Sequence, residues 1–236
     1  MRIMTRNIVE ENSSIVMTNP DVNHPVGNVY SNMLEEYAAS SIATSLITIT
    51  FLSNKIANSI FFGYHNLTDV DIVFKNSIGG TIGTVNLTYP ELNMKHYMDE
   101  LDTIRSIEIT IETGEAVAFL GNFACGVYTQ LGNVVKPRRI NYIDSTDFEQ
   151  TTGGQSLYNL GTMLQSFDVG LTKNTDSQLV AFISAYMYVR KGKGFWLDRY
   201  EDILLRSPLY GIFSSDFNTD EIDELTNINF TFTEAN

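Results

Sequence analysis

Alternation of apolar and polar residues with a period of two dominates this chain. Ile47, Ile49 and Phe51 are separated by Thr48 and Thr50, the pattern of a strand with one buried face. Val70, Ile72 and Phe74 repeat it, and Asn76-Ser77 with Gly79-Gly80 supply turn residues before Val85, Leu87 and Tyr89. Ile107, Ile109 and Ile111 alternate with Glu108, Thr110 and Glu112, after which Thr113-Gly114-Glu115 turns the chain into Val117 to Leu120. The second half adds strands at Gly121–Tyr128, Met163–Val169, Gly194–Asp198, Pro208–Phe213 and Ile228–Thr233. Short strands at roughly ten-residue intervals imply a β-sandwich of the jelly-roll kind.

One segment departs from period two. Leu179, Phe182, Ile183, Tyr186 and Met187 fall at helical spacing, predicting an amphipathic helix near 176–190 with those five residues on its apolar face. Asn174 or Thr175 can cap its start, Asp176 complements the positive end of its dipole, and Arg190, Lys191 and Gly192 suit its end. Met33, Leu34, Tyr37 and Ala38 suggest a second, shorter helix between Ser31 and Ile42. Residues 1–30 are polar and carry Pro20 and Pro25, which predicts an extended arm that finds its partners on a neighbouring surface, or a frayed terminus. The expected organisation is an arm at 1–30, a β-sandwich at 31–112 and a second β domain with one packed α-helix at 113–236.

Composition narrows the partners. Hydrophobic residues make up 43% and charged residues 18%, a globular balance, and the net charge of −13 opposes nucleic acid and anionic lipid. Cys125 is the single cysteine, so no internal disulfide forms, and its apolar flanks predict a buried structural thiol in preference to a nucleophile. The opening MRIMTRNIVEENSS lacks the apolar core of a secretory signal, and no run reaches transmembrane length. The expectation is a protein made and folded in a cytoplasm, where a virus particle also assembles.

Candidate chemistry is sparse. His24, His65 and His96 have no metal spacing, and Gly79-Gly80-Thr81-Ile82-Gly83 lacks the lysine of a phosphate loop. Gly153-Gly154-Gln155-Ser156 reads as a bulged turn before a nucleophile turn. Asp216-Phe217-Asn218-Thr219-Asp220 copies the start of a calcium loop, but Glu221 and Asn227 stand where glycine and a bidentate glutamate belong. Asp99, Glu100 and Asp102, and again Asp198, Glu201 and Asp202, are carboxylate groups of the type used on glycosides, yet acidic chains produce such groups by chance. No enzyme activity, metal or cofactor is expected. Trp196 with Tyr200 and Tyr210 forms either a sugar-stacking platform or, more simply, core or interface aromatics. Arg138, Arg139, Arg190, Lys191 and Lys193 are islands of positive charge suited to the acidic face of an adjacent copy.

Four stretches carry a resemblance: Asn58–Leu67, Phe123–Leu131, Thr152–Tyr158 and Phe195–Asp198. Together they resemble a class of tailed-phage virion proteins in which a β-sandwich precedes a Gly-X-Tyr strand, a threonine/glycine turn, one helix and an aromatic-Asp strand. The strand–helix–strand order of the second half is also similar to the tail-tube fold of distal tail and baseplate proteins, which usually place that part first. The resemblance implies a virion structural protein of the distal tail or baseplate, assembling into a ring with copies of itself and neighbouring virion proteins. The alternatives are a carbohydrate-binding host-adhesion module, with a host-surface glycan as ligand, and a capsid decoration protein.

Overall fold

The computed structural model describes residues 1–4, 6–30, 36–88, 93–131, 133–134, 140–144, 147–150, 156–159, 163–189, 194–198, 208–214, 218–222 and 225–234. In chain order the first strands are β1 (Arg2–Met4), β2 (Ser14–Met17), β3 (Ala38–Ala39), β4 (Thr44–His65), β5 (Asp69–Lys75), β6 (Thr81–Thr88), β7 (Asn93–Glu112) and β8 (Phe119–Gly126). Then follow β9 (Thr129–Gln130), β10 (Asn133–Val134), β11 (Ile140–Asp144), β12 (Asp147–Gln150), β13 (Ser156–Asn159) and β14 (Met163–Asn174). Helix α1 (Asp176–Val189) leads into β15 (Phe195–Asp198), β16 (Leu209–Phe213), β17 (Asn218–Ile222) and β18 (Leu225–Glu234). The protein is mainly β and its first half is a β-sandwich, as the alternation predicts.

The sandwich is made by folding one sheet on itself. Its strand order is β3-β8-β4-β7-β5-β6, with β2 added on β4. Strand β4 is 22 residues long and β7 is 20, too long for a single layer. Their pairing slips three times between Thr50 and Ser59. Bulges of this kind bend a strand and let it pass from one layer to the next. Before the bend, Thr44–Thr50 pairs with Ser106–Glu112 in the layer that holds β2, β5 and β6. Beyond it, Ser59–His65 pairs with β8, which carries β3. The side chains between the layers are those the alternation selects: Ile47, Ile49, Phe51, Val70, Ile72, Phe74, Ile107, Ile109 and Ile111 from the first, Ile60, Phe62, Phe123 and Cys125 from the second. Each contributes roughly 1.5–3 kcal/mol by leaving water.

The remaining main sheet runs β10-β14-β18-β16-β15-β1-β9, with β11 on β14 and β17 on β18. One of its faces carries α1, and Phe182 packs against Phe213 and Phe230 at centroid distances of 5.9 and 5.3 Å. Thr175 is the cap: its hydroxyl accepts from the Gln178 amide at 3.4 Å while the Gln178 side chain accepts from the Thr175 amide at 2.9 Å. The buried stripe is Phe182, Ala185 and Val189, flanked by Leu179 and Tyr186. Ile183 and Met187, expected on that face, are instead 37% and 57% exposed. At about 100° per residue they lie some 100° and 140° around the helix from Phe182, beyond the strip that the sheet covers.

Two further expectations change. The N-terminal segment is not an arm reaching for a neighbour. Arg2, Ile3 and Met4 form β1, which pairs with Asp198, Leu197 and Trp196 on one side and, through Arg2 and Ile3, with Gln130 and Thr129 on the other. The segment then crosses to the sandwich, where Ile15 and Met17 align with Ile49 and Ile47. Backbone pairing and burial of Ile3 and Met4 hold it in its own chain. Strand β8 belongs to the sandwich, so the change of sheet does not fall at Glu112. Residues Ala38 and Ala39 are strand β3 and not part of a helix, while 31–35 lie outside the described residues.

Candidate functional site

Trp196 and Tyr210 are described, and both are buried: 1% and 4% exposed. Arg138, Arg139, Arg190, Lys191, Lys193 and Tyr200 lie outside the described residues. Along β15, alternation turns Phe195 and Leu197 to the helix side and Trp196 and Asp198 to the sandwich. Trp196 stacks on Phe61 of β4 at 5.5 Å, and its indole N–H donates to Asn122 Oδ1 at 3.0 Å. Gly63 is required beside it, because a Cβ there would stand 2.7 Å from the indole. Asp198, the one described member of the group Asp198, Glu201 and Asp202, is 1% exposed and accepts from Lys95 Nζ at 2.6 Å and from the Tyr97 hydroxyl at 2.7 Å. Burial first, then the bond to Asp198, pushes the Tyr97 hydroxyl far above its ordinary pKa. Arg2 spans the Tyr97 and Tyr128 rings at 4.2 and 4.7 Å. This cluster joins the two sheets within one chain, which is why Trp196 and Tyr210 offer no surface to a sugar or a neighbour.

A different aromatic group reaches the surface at the end of the sandwich's second layer. Its rings are His24, Tyr37, Tyr64 and Phe119. His24 stacks on Tyr37 at 4.3 Å and 12°, Tyr37 contacts Phe119 at 5.0 Å, and Phe119 contacts Tyr64 at 5.7 Å. Tyr64 is 39% exposed, and the other three are half-buried. Phe119 begins β8, Tyr64 lies near the end of β4, and Tyr37 immediately precedes β3. Extending the β3–β8 and β4–β8 registers sets Tyr37 and Tyr64 on either side of Gly121, which has no side chain to separate them. Their centroids lie 6.1 Å apart.

The backbone is forced to build this arrangement. Tyr64 has φ +52°, a left-handed conformation that costs a bulky residue on the order of 1–2 kcal/mol. Asn66 fixes the loop that carries Phe119: its amide group donates to the Val117 carbonyl at 2.8 Å and to Glu115 at 3.0 Å, and its oxygen accepts from the Phe119 amide at 2.9 Å. Asp21 holds His24 across a 3.3 Å contact, and the Asn23 amide, then His24, keep its carboxyl below the ordinary aspartate range. No sequence spacing connects positions 24, 37, 64 and 119. The one local signal is the run of three aromatics in Phe61-Phe62-Gly63-Tyr64, of which Phe61 and Phe62 are buried and Tyr64 is exposed.

A second feature is a cleft of about 620 Å³ between α1 and the bulged part of β4. Arg6, Ser53, Asn54, Lys55, Ser184 and Tyr188 are among its lining residues. Behind it Glu11 accepts from Arg6 Nε at 2.6 Å and from Lys55 Nζ at 2.5 Å. The Arg6 bond, with Lys55 assisting, holds the Glu11 carboxyl below its ordinary range and locks it ionised. A carboxylate so held is a poor proton carrier. Asp99, Glu100 and Asp102 remain solvated or nearly so on β7. Of the calcium-like stretch that begins at Asp216, residues 218–222 form β17 of a hairpin and 216–217 lie outside the described residues; no group of three or more metal-ligating side chains occurs among the described residues. Cys125 is fully buried, and burial pushes its thiol pKa well up, as a structural cysteine requires.

No family model matches this chain, and no curated protein matches its sequence. Among solved structures, it is similar to the lectin domain of lectinolysin complexed with Lewis B antigen, at 8% identity and TM-score 0.45, over 51% of this chain and 96% of that one. It is also similar to a Streptococcus pneumoniae fucose binding module, at 11% identity and TM-score 0.44, over 51% and 96%. A third likeness is to a Ruminococcus gnavus GH29 fucosidase in complex with fucose, at 16% identity and TM-score 0.49, over 54% of this chain and 28% of that one.

Proposed function

We propose that this chain is a non-catalytic carbohydrate-binding β-sandwich protein that holds a glycan against the His24–Tyr37–Phe119–Tyr64 platform. The observation that carries the reading is Tyr64: a partly exposed ring kept in a strained backbone conformation beside the rings of Tyr37 and Phe119. Strain of this kind persists only where the surroundings over-determine it, and a tyrosine packed for stability alone has no need of it. Ring faces are electron-rich and accept the C–H face of a pyranose, while Asp21 and the Tyr64 hydroxyl supply hydrogen-bonding groups for its hydroxyls. The test is a glycan array with the wild-type chain and Tyr64→Gly, which keeps the backbone angle and removes the ring. Retention of glycans by the wild type and its loss in Tyr64→Gly is the expected result. Equal retention by both ends the reading.

A second reading, assembly into a tailed-phage particle, is supported by the outer face of α1. Val180, Ile183 and Met187 share that face and are 62%, 37% and 57% exposed, a ridge suited to burial against another virion subunit. The two readings are compatible if the sandwich displays a glycan site from a particle held together through the helix side. Native mass spectrometry of the purified chain, with Ile183→Glu and Met187→Glu as controls, tests it. A monomer at every concentration counts against ring assembly.

A further inference from the structure

The cleft beside α1 plays no part in the platform, and its chemistry differs. In a chain of net charge −13, its lining includes Arg6 and Lys55 and no acidic side chain. Glu11 lies behind the two cations and neutralises one of them. Arg6 meets Glu11 through Nε, and its side chain is 62% exposed, leaving the terminal nitrogens of the guanidinium for a second carboxylate. Guanidinium forks bind carboxylates in two-bond geometry. Around this charge stand neutral hydrogen-bonding groups, Ser53, Asn54 and Ser184, and the Tyr188 ring, 43% exposed. The space exists because β4 is bulged between Thr50 and Ser59: Ser53, Asn54 and Ile56 have no partner across the β4–β7 ladder, while Lys55 stays opposite Ile104. Bulges that re-aim side chains recur beside binding sites.

We propose that this cleft binds a carboxylated sugar of the uronate type, with Arg6 on the carboxylate, Ser53, Asn54 and Ser184 on the ring hydroxyls, and Tyr188 against the ring. The sugar part of the ligand rests on the carbohydrate reading above. The preference for an anion rests on the cleft alone. Because Lys55 is held by Glu11 and half-buried, its charge adds to the field without moving. The cleft is therefore a second site, distinct in position and in ligand charge from the neutral platform.

The experiment is an amide-shift NMR titration of the whole chain with glucuronate and, separately, with glucose at low salt. Glucuronate is expected to move signals of Ser53–Ile56 and Ala181–Tyr188 and to bind there about tenfold more tightly than glucose, the scale of one partly solvated charge-assisted contact. Arg6→Gln removes that advantage, and raising salt to about 0.5 M reduces it by screening. Ser184→Trp, which fills the cleft from an exposed helix position, abolishes the shifts without touching Arg6. Tyr64→Gly leaves them intact. Equal affinity for the two sugars in the cleft, or shifts confined to the platform, overturns this inference and leaves the carbohydrate reading standing. Absence of binding by either sugar in the cleft overturns this inference, while the glycan array with Tyr64→Gly decides the platform reading separately.

Discussion

Two of the molecule's aromatic clusters, one buried and one at the surface, have opposite character. One joins the sheets: Trp196, Phe61, Tyr210 and Tyr97 surround the Lys95–Asp198 pair, with Lys95 3% and Asp198 1% exposed in their side chains. The other, Tyr64, Tyr37, Phe119 and His24, opens to solvent and rests on a strained backbone. In the first cluster the Trp196 indole has Asn122 as its partner, and the Asp198 carboxylate has both an ammonium and a hydroxyl. Such satisfaction is what burial demands. In the second, ring faces are brought together and then left partly uncovered, at a conformational cost that packing alone does not explain. Aromatic richness is therefore not a mark of a binding surface. Exposure combined with strain is the feature on which the proposed glycan site rests.

If that contrast is right, the inner cluster should respond to mutation through stability and the outer one through binding. The largest effect is expected at Lys95. Replacing it with Met leaves the Asp198 carboxylate buried without its ammonium and should cost about 3–5 kcal/mol in urea unfolding. The double variant Lys95→Met/Asp198→Leu should recover a good part of that loss, since an apolar pair of similar volume avoids the orphaned charge. Equal destabilisation by the single and double variants would mean that the pair is held by packing and not by charge. Trp196→Ala follows, at about 3–5 kcal/mol for the loss of a fully buried indole. Folded Trp196→Ala should still retain glycans, which separates its role from that of a sugar-stacking residue.

How far these roles were legible beforehand depends on sequence distance. Strands around 47–51, 70–74, 107–111 and 228–233 were visible because five or more residues alternate against one core face. β1 was not, because three residues carry no period and its partners lie 126–196 positions away. The helix was found by spacing, but its orientation was not, since Ile183 and Phe182 look alike until the sheet is in place. For Trp196 the sequence leaves core, interface and sugar platform open, because nothing in Gly194–Asp198 reveals that both faces of β15 are covered. The platform is hidden in the sequence for the same reason as β1: its four rings meet only when β3, β8 and β4 become neighbours, and the place of Gly121 between Tyr37 and Tyr64 follows only from the register.

On the outer cluster the effect on folding is expected to be smaller and the effect on binding complete. Tyr64→Gly relieves about 1–2 kcal/mol of left-handed strain while giving up the contacts with Phe119 and Tyr37, worth about 0.5–1.5 kcal/mol each. The two nearly cancel, so the unfolding midpoint should stay within a few degrees of the wild type while glycan retention disappears. A large loss of stability would show that Tyr64 is a packing residue after all, and the two clusters would cease to differ.

The smallest effect concerns the ion trio behind the cleft. Glu11 has its carboxyl lowered by the Arg6 hydrogen bond and by Lys55, so the folded state binds a proton less readily there than the unfolded chain does. The stabilisation is therefore present in full above the ordinary glutamate pKa of about 4.3 and is lost as pH falls through the lowered folded value. Because Arg6 and Glu11 are partly solvated, the contribution belongs to the modest class of surface pairs. Comparing the melting temperature of wild type and Glu11→Gln from pH 7 down to pH 3 checks this: the wild type should be the more stable at neutrality, and the two curves should converge toward acid. Parallel curves would show that Glu11 contributes no charge-dependent stability, and that Arg6 and Lys55 keep their places in the cleft without it.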